Sequence, residues 1–352
     1  MNILQVEPAT NWSGGVNQTL ILSRALKEKG HKVCIACCFN SPIYRRATQE
    51  NIDTIFIDDK RIWHSAKIVR NFIKEKDVDV VHTNHSRGHS IGLLASLFLH
   101  KHILVVQRSV LFKPGNVLKY LSPRIDAFFV NSFAVKNILK RYLVKEKKIF
   151  VIPSAVDERD FSSLSRKEAR EKMGFKEKVI GCIGNFSFYK GHTFLIEAFA
   201  SLSKRHNDIS LVFVGQNTKA LSEYVKKYNI TDKVNIMGFR KDATDILKAF
   251  DVLVVPSVIE SFPNVILEAM MVKVPVIGTE VGGIGEMLSN GRGILVKSKD
   301  VGRISSAIEY VLNHDTRDMV ERAYRYAKEH YTIQAKEMMC ENIYRMLIER
   351  KR

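Results

Sequence analysis

Short, continuously apolar runs recur along the chain and alternate with segments of helical periodicity. Seven of these runs lie between residues 2 and 153, from NILQV to IFVIP, and five more lie between residues 179 and 278, from VIGCIG to VPVIG. A strand that is covered on both faces shows unbroken apolarity, whereas a strand with one wet face alternates. The pattern therefore predicts an α/β fold in which parallel strands are enclosed by helices.

The series of strands restarts after about residue 160, which predicts two domains. A length of 352 residues suits two domains of about 150 residues each. A polar connector at 151–175 contains Pro153 and a short charged segment, and it separates the two series. We place an N-terminal domain at 1–160, a C-terminal domain at 161–332, and a helical stretch at about 333–352.

The chain carries 55 Lys and Arg against 37 Asp and Glu, a formal net charge of +18. Such an excess is informative about partners rather than about fold. It suits nucleic acid, an anionic membrane surface or a phosphorylated substrate. Because the sequence contains no DNA- or RNA-binding motif and no zinc-ligand spacing, we expect no specific nucleic-acid partner.

The sequence predicts a cytoplasmic protein, which could also bind peripherally to the inner face of the cell membrane. The first residues, MNILQVEPA, lack the basic start and long apolar core of a signal peptide. No run approaches the ~18 apolar residues that span a bilayer. Cys34, Cys37 and Cys38 lie in an apolar, strand-like run, which indicates buried reduced thiols rather than a redox or metal site.

Two glutamates with seven residues between them, Glu260 and Glu268, lie in the segment PSVIESFPNVILEAMM. The segment follows an apolar run, and Pro263 is predicted to begin a helix that contains Glu268. The N-terminus of a helix offers backbone N–H groups and partial positive charge, which suit a phosphate. Two carboxylates around an anion site indicate chemistry on a phosphorylated ligand.

The whole segment resembles the E-x7-E signature of retaining glycosyltransferases with the GT-B fold, in particular glycosyltransferase family 4. Further segments carry the resemblance: SGG at 13–15, GNFSFYKGHTFLIEAFA at 184–200, VFVG at 212–215 and MGFRKD at 237–242. It implies two facing Rossmann-like domains with parallel sheets and a cleft between them. It also implies that the stretch at 333–352 packs back on the N-terminal domain, which binds the acceptor, whereas the C-terminal domain binds a nucleotide-sugar donor.

The resemblance also implies roles for individual residues. In the family an Arg and a Lys bind the donor diphosphate; Lys190 matches the Lys, whereas Asn185 stands in place of the Arg. Arg240 or Arg108 could supply the missing charge. Glu268 matches the glutamate that binds the ribose, and Glu260 matches the one near the transferred sugar.

The implied catalytic residues are Glu260, His85 and Lys190. The implied donor-binding residues are Gly14, Gly15, Asn185, Lys190, Phe239, Arg240, Glu260, Phe262, Asn264, Val265 and Glu268. The implied contacts to the acceptor or the sugar are His82, Asn84, Arg108, Gly282 and Gly283. The family often shows H-x-H where this chain reads His-Thr-Asn-His at 82–85, so His85 is the first choice for the sugar contact and His82 the second.

No metal cofactor is implied, because Lys190 and helix amides would neutralise the diphosphate. A D-x-D string, Asp77-Val78-Asp79, precedes a predicted strand, whereas ligands of such sheets bind beyond the carboxyl ends of strands. It is therefore not predicted to bind metal.

The function that these residues imply is retaining transfer of a sugar from a nucleotide-sugar to a glycan or lipid-linked acceptor, in lipopolysaccharide, capsule or other cell-envelope glycan synthesis. The alternative is a catalytically inactive nucleotide-sugar-binding or scaffold protein of the same fold. Two basic amphipathic segments, at 61–76 and 135–148, suit an anionic membrane surface.

Overall fold

The computed structural model describes residues 1–99, 101–108 and 117–351. The chain forms two compact units: unit 1 comprises Met1–Ala155 and Ile333–Arg352, and unit 2 comprises Val156–Thr332. The first crossing between the units thus lies about five residues before the boundary placed at 160, and the second lies at the boundary placed after 332.

Unit 1 contains a seven-stranded parallel sheet in the order β3-β2-β1-β4-β5-β6-β7. Its strands are β1 (Asn2–Glu7), β2 (Lys32–Cys38), β3 (Asp53–Ile57), β4 (Val80–Thr83), β5 (Ile103–Arg108), β6 (Ala127–Val130) and β7 (Ile149–Val151). Its helices are α1 (Gly14–Glu28), α2 (Pro42–Gln49), α3 (Ile62–Glu75), α4 (His85–Ser96), α5 (Val117–Tyr120), α6 (Phe133–Arg141) and, from the C-terminus, α15 (Ile333–Glu349). The apolar runs form these strands, and the two central ones, β1 and β4, are almost wholly buried.

Unit 2 contains a six-stranded parallel sheet in the order β10-β9-β8-β11-β12-β13. Its strands are β8 (Lys178–Ile183), β9 (Ile209–Val214), β10 (Val234–Gly238), β11 (Val252–Val255), β12 (Val276–Thr279) and β13 (Ile294–Val296). Its helices are α7 (Arg166–Met173), α8 (His192–Leu202), α9 (Ser222–Lys227), α10 (Ala243–Lys248), α11 (Asn264–Met271), α12 (Gly283–Leu288), α13 (Val301–Asn313) and α14 (Arg317–His330).

Both sheets reverse their strand order at one point. In unit 1 the chain builds outward from β1 through β2 and β3, then returns to pair β4 with β1. In unit 2 it builds outward from β8 through β9 and β10, then returns to pair β11 with β8. Open α/β sheets bind ligands beyond the carboxyl ends of the strands at such a reversal. The β1/β4 and β8/β11 edges are therefore the expected ligand positions of the two units.

Helix α15 packs on unit 1 through an aromatic and polar contact layer. The ring of Tyr344 stacks on Phe129 of β6 with 5.7 Å between centroids and 8° between planes. At the other end of the helix, the buried Lys336 donates to Gln18 Oε1 at 2.8 Å, and that oxygen also accepts from the backbone N of Ala155 at 2.8 Å. Gln18 thus joins the two points at which the chain leaves and re-enters unit 1.

Two further predictions from the sequence concern reduced, buried cysteines and the lack of a membrane-spanning segment. All five cysteines are buried free thiols, and burial raises the pKa of Cys34 and Cys37 to about 12. Such thiols are inert, as expected for core residues. Over the described ranges, no helix combines the length and the apolarity needed to cross a bilayer.

Candidate active site

At the strand reversal of unit 1, a buried carboxylate holds a histidine. Glu7 is the last residue of β1, and its side chain is fully buried. Its Oε2 accepts from Thr19 Oγ1 at 3.0 Å, and its Oε1 accepts from Ala9 N at 3.2 Å. His85 Nε2 lies 3.1 Å from the same Oε1. A carboxylate in this environment is stabilised by each of these donors and fixes the position of the imidazole.

His85 begins α4 directly after β4, with a left-handed backbone (φ 56°) that turns its ring towards Glu7. Burial by itself lowers the pKa of His85, but the hydrogen bond and the negative charge of Glu7 outweigh it and raise the pKa above its usual 6.5. Because 40% of the side chain is still exposed, the imidazole can donate to a ligand.

The glycine loop that opens α1 lies against this histidine. Ser13 caps the helix by accepting from Val16 N at 3.4 Å, and Gly14 and Gly15 form its first turn. A Cβ added to Gly15 would lie 3.5 Å from His85 Cε1. The structure therefore brings together Gly15, a predicted donor contact, and His85, a predicted sugar contact.

The other predicted contacts of unit 1 are more deeply buried. His82 is 1% exposed, and its Nδ1 lies 2.5 Å from the hydroxyl of Tyr344 on α15. Burial lowers the pKa of His82 to about 3, so the ring is neutral. This position in the core does not support the predicted sugar contact by His82. Asn84 is 7% exposed and donates to Gln5 Oε1 at 3.1 Å.

Arg108 ends β5 and is 8% exposed. Its guanidinium carbon lies 5.3 Å from the ring centroid of Tyr120, and its charge acts against protonation of His85. Arg108 therefore contributes to the electrostatics around His85 from a largely buried position.

At the strand reversal of unit 2, a lysine and a glutamate form an ion pair. Lys190 lies in the loop after β8, Glu260 lies in the loop after β11, and Lys190 Nζ donates to Glu260 Oε2 at 2.5 Å. The second oxygen of Glu260 accepts from Ser261 N at 3.1 Å. The lysine side chain is 36% exposed and that of Glu260 is 12% exposed, so an anion can approach the pair from the lysine side.

Two glycines allow the backbones of these loops to pack closely. Gly191, next to Lys190, has φ 69°, and an added Cβ would lie 1.9 Å from the carbonyl oxygen of Pro256. Gly282, at the start of α12, has φ 53°, and an added Cβ would lie 1.7 Å from the carbonyl oxygen of Glu260. Only glycine allows this approach. Gly282, a predicted sugar contact, thus also packs against the backbone of Glu260. The neighbouring Gly283, likewise a predicted contact, donates its N–H to Ser261 O at 2.7 Å.

Helix α11 begins at Asn264, and Pro263 is its N-cap rather than its first residue. The prediction that Pro263 begins the helix was wrong by one residue, because its ψ of 117° is extended. Phe262 is buried, with its ring 5.5 Å from that of Tyr331, so only its backbone is suited to a ligand. Val265, in the first turn, is partly buried and contributes to the core.

Glu268 lies one turn further along α11, partly buried. Among the described residues no hydrogen bond or ion pair engages its carboxylate. Burial, reinforced by the negative charge of Asp160, raises the pKa of Glu268 to about 7. A carboxyl group in this state is stabilised when a ligand brings hydroxyl donors.

Of three further predicted donor contacts, Asn185 and Phe239 are exposed and Arg240 is partly buried. Asn185 accepts from the backbone N of Gln216 at 2.9 Å through Oδ1. Phe239 is 55% exposed. Arg240 forms a bidentate pair with Asp242 at 2.8 and 2.7 Å, which raises its pKa further and occupies its guanidinium. Arg240 would have to leave Asp242 to supply the charge that Asn185 lacks.

Glu7 and Thr19 were not identified from the sequence. A signal for Glu7 exists: it is the one acidic residue in the first apolar segment, NILQVE, and it stands at the carboxyl end of a strand. An acidic residue at that position of a buried strand needs a polar partner. The partners, His85 and Thr19, are 78 and 12 residues away in the chain, and only the fold brings them together.

Comparison with family models identifies both parts of the chain. Residues 12–160 match "Glycosyltransferase Family 4", and residues 165–330 match "Glycosyl transferases group 1". The chain belongs to the group 1 glycosyltransferases of the family 4 type. As an enzyme class, it is therefore a glycosyltransferase.

Two relatives align over most of the chain. N-acetyl-alpha-D-glucosaminyl L-malate synthase of Bacillus anthracis is 27% identical over 267 residues, which are 71% of this chain and 70% of that protein. N-acetylgalactosamine-N,N'-diacetylbacillosaminyl-diphospho-undecaprenol 4-alpha-N-acetylgalactosaminyltransferase of Campylobacter jejuni is 25% identical over 256 residues, which are 68% of each chain.

Solved structures match nearly the whole chain and show the GT-B fold. A glycosyltransferase from Rickettsia africae has a TM-score of 0.88 at 23% identity and covers 99% of this chain and 98% of its own. HepE of Anabaena, in complex with UDP-glucose, has a TM-score of 0.86 at 18% identity, with 97% of this chain and 99% of that one covered. The predicted α/β GT-B fold is confirmed.

Proposed function

We propose that this glycosyltransferase is a retaining, metal-independent enzyme that transfers a sugar from a nucleotide-sugar to a glycan or lipid-linked acceptor in cell-envelope glycan synthesis. The observation that carries the proposal is the Lys190–Glu260 pair at the strand reversal of unit 2. It places a cation, a carboxylate and the start of α11 around one position. That combination suits a sugar diphosphate.

The donor's leaving group is a nucleoside diphosphate, whose negative charge grows as the bond to the anomeric carbon breaks. Lys190 supplies positive charge, and the backbone amides at the start of α11 supply donors; both act where charge develops. When the diphosphate binds Lys190, Glu260 is released from its 2.5 Å contact and can accept from a sugar hydroxyl. Glu268 accepts from the two ribose hydroxyls, which favour its ionised form.

Retention follows if the acceptor attacks the face from which the diphosphate departs. The departing phosphate oxygen then takes the proton of the acceptor hydroxyl, while Glu260 stabilises positive charge on the sugar ring. In unit 1, the proton on His85 is available for a hydrogen bond to a sugar oxygen because Glu7 holds the ring and raises its pKa. No metal is needed in this scheme.

A donor screen in EDTA tests the proposal. UDP-, GDP- and ADP-sugars, with UDP-glucose, UDP-N-acetylglucosamine and UDP-N-acetylgalactosamine first, are added to the protein, and thermal shift and slow donor hydrolysis are measured. We expect one donor to stabilise the wild type and to be hydrolysed, and Glu268→Ala to lose both responses. The matched control is Glu197→Ala, which removes an exposed glutamate from α8 of the same unit.

Three outcomes would count against the proposal. Hydrolysis that requires Mg²⁺ or Mn²⁺ would contradict metal independence. Inversion at the anomeric carbon of the product, read by NMR, would contradict retention. Donor binding without hydrolysis or transfer to any acceptor would favour the inactive, nucleotide-sugar-binding alternative.

An acceptor on an anionic membrane is supported by the basic, apolar surface that follows α6. Leu143 is 80% exposed, and Arg141, Lys145 and Lys147 are exposed beside it in sequence. Lys136 and Lys140 of the same segment are instead paired with Glu146, at 3.0 and 2.8 Å. Arg141, Lys145 and Lys147 are therefore the residues suited to lipid headgroups. Each basic residue near an anionic membrane surface contributes ~1 kcal/mol to binding.

The printed name of the Campylobacter relative contains a diphospho-undecaprenol substrate, which agrees with a lipid-linked acceptor. Sedimentation with phosphatidylglycerol vesicles at low salt tests this part. The variant Leu143→Ser with Lys145→Glu and Lys147→Glu should remain in the supernatant, while wild type pellets. A charge-matched control in unit 2, Lys226→Glu with Lys227→Glu, should pellet like wild type; equal pelleting of all three would exclude this surface.

A further inference from the structure

A histidine and two glutamates meet on unit 1 away from the candidate active site. His31 lies between α1 and β2, and Glu337 and Glu341 lie one turn apart on α15, so both carboxylates are on the same face of the helix. One ligand atom from each residue lies within 4.8 Å of the other two. His31 Nε2 is 3.2 Å from Glu341 Oε1.

Two of these ligand atoms are buried. Glu337 is 2% exposed and His31 is 7% exposed; within the described ranges Glu337 Oε1 has no hydrogen-bond partner, whereas His31 Nε2 contacts Glu341. A buried carboxylate oxygen without a donor, beside an imidazole and a second carboxylate, is a group that a cation would satisfy.

Existing cations satisfy the cluster only in part. Lys29 Nζ is 4.0 Å from Glu337 Oε2, and that lysine side chain is 60% exposed. Arg345 donates to Glu341 Oε1 from Nε at 2.9 Å and from Nη2 at 2.6 Å. His31 Nδ1 lies 3.3 Å from the amino nitrogen of Met1. Arg345 can therefore keep one oxygen of Glu341 while the other oxygen turns towards an added ion.

We propose that His31, Glu337 and Glu341 bind a divalent transition-metal ion of the Zn²⁺ type. One imidazole nitrogen and two carboxylate oxygens are a ligand set that Zn²⁺ accepts, with a water in the fourth position. Ligand bonds of about 2.0–2.2 Å place tetrahedral ligand atoms roughly 3.4 Å apart. Small side-chain rotations are enough to bring the three atoms from their present separations to that value.

The position of the site indicates a structural role. His31 immediately precedes β2, so the cluster lies at the amino ends of the strands, whereas Glu7 and His85 lie at the carboxyl ends. A bound ion would join α15 to the α1–β2 connection. It would thus stabilise the attachment of the C-terminal helix without entering the transfer reaction.

Metal titration of the full chain tests the proposal. Protein stripped with EDTA and desalted is titrated with ZnCl₂ in competition with a chromophoric chelator, and thermal unfolding is recorded with and without the ion. We expect one ion per chain and a rise of several degrees in the unfolding temperature, since a ligand that binds only the folded state stabilises it. Glu337→Gln and His31→Gln should weaken binding at least tenfold.

Glu349→Gln, an exposed glutamate of the same helix, is the matched control and should bind like wild type. Glu337→Gln removes a buried carboxylate that lies beside the partly buried carboxylate of Glu341, so its metal-free form should be at least as stable as wild type. Loss of binding in that variant therefore reports the ligand and not misfolding. Absence of saturable binding to wild type, or equal binding to Glu337→Gln, would overturn the proposal.

Discussion

The two units place functional residues at the same point of the same topology, yet they treat their carboxylates in opposite ways. In unit 1, Glu7 is fully buried and engaged by Thr19, Ala9 and His85. In unit 2, Glu260 has one cationic partner, the partly exposed Lys190, and Glu268 has a carboxylate without a partner in the described part of the chain. One site is complete before any ligand arrives, and the other is not.

The difference follows from what each carboxylate does. A buried ionised group is stable only when donors surround it, and Glu7 has them. Glu268 instead responds to burial by a pKa raised to about 7. Unit 1 uses its carboxylate to hold a protein side chain, whereas under the proposed function the lysine and carboxylates of unit 2 bind a charged ligand. Ligand binding should therefore change the electrostatics of unit 2 much more than those of unit 1.

The largest expected effect is that of Lys190→Met. The substitution removes positive charge from the departing diphosphate while keeping the apolar stem, so kcat should fall roughly 100- to 1,000-fold, the range for loss of one transition-state donor. Donor KM should change much less. The control is Lys204→Met, an exposed lysine of the same unit, with kcat near wild type. A fall confined to KM would mean that Lys190 binds the ground state and transition state equally.

The next effect is that of Glu268→Gln, measured as donor affinity by calorimetry and as stability by denaturant unfolding. Loss of the ionised ribose acceptor should weaken donor binding about tenfold or more. The stability effect has the opposite sign. Because the pKa is raised from 4.5 to about 7, wild type loses stability as pH rises through this interval, and the glutamine variant does not.

The variant should therefore gain on the order of 3 kcal/mol relative to wild type between pH 4.5 and pH 7.5. Glu197→Gln, on the exposed face of α8, should show no such pH dependence. Parallel stability curves for wild type and Glu268→Gln would show that the carboxyl is ionised normally, and the contrast between the units would then be weaker.

The sequence predicted the architecture well because continuous apolar runs report strands buried on both faces, wherever those strands lie in the sheet. All twelve runs became strands of the two sheets, and the additional strand, β13 (Ile294–Val296), is a three-residue edge strand in the stretch GILVK. Such a short run carries too few apolar positions to be distinguished from a loop.

The pairings within the site were less predictable. The motif that contains Glu260 is local, but its bond to Lys190 joins loops 70 residues apart, and the role of Glu7 depends on a strand reversal that the sequence does not display. For His82 the sequence suggested a ligand contact that the packing does not support. A histidine at a strand end looks available to a ligand, and only the packing of α15 on the sheet shows that it faces Tyr344 instead.

A smaller effect, on the pH profile, is expected for Glu7→Gln. Glu7 positions His85 and raises its pKa, so the variant should lower kcat roughly tenfold near pH 7.5, less than the ~100-fold or larger effect of removing an acid or base itself, and shift the limb assigned to His85 to lower pH. The stability sign also follows. The pair stabilises the fold below pH 6.5, and this contribution is lost as pH rises through the raised pKa.

Unfolding curves at pH 6 and pH 8.5 should therefore show a larger difference between wild type and Glu7→Gln at the lower pH. Glu75→Gln, on the exposed end of α3, is the control for unit 1. If Glu7→Gln changes kcat without moving the pH profile, Glu7 orients the ring but does not set its charge.

The smallest effect is expected from adding charge rather than removing it. The family resemblance implies an arginine at the position of Asn185, which is exposed and whose Oδ1 accepts from Gln216 N at 2.9 Å. Asn185→Arg places a second cation beside the diphosphate position but loses that loop hydrogen bond, worth about 1 kcal/mol. We expect donor affinity to rise only a few-fold, measured by calorimetry at low and high salt, with the gain smaller at high salt because exposed charges are screened.

Asn185→Gln separates the contribution of charge from that of side-chain length. A tenfold or larger gain in donor affinity with arginine alone would show that unit 2 is short of positive charge and that Lys190 does not balance the diphosphate by itself. No gain in affinity would show that Arg240, or another cation, already supplies the second positive charge at the diphosphate.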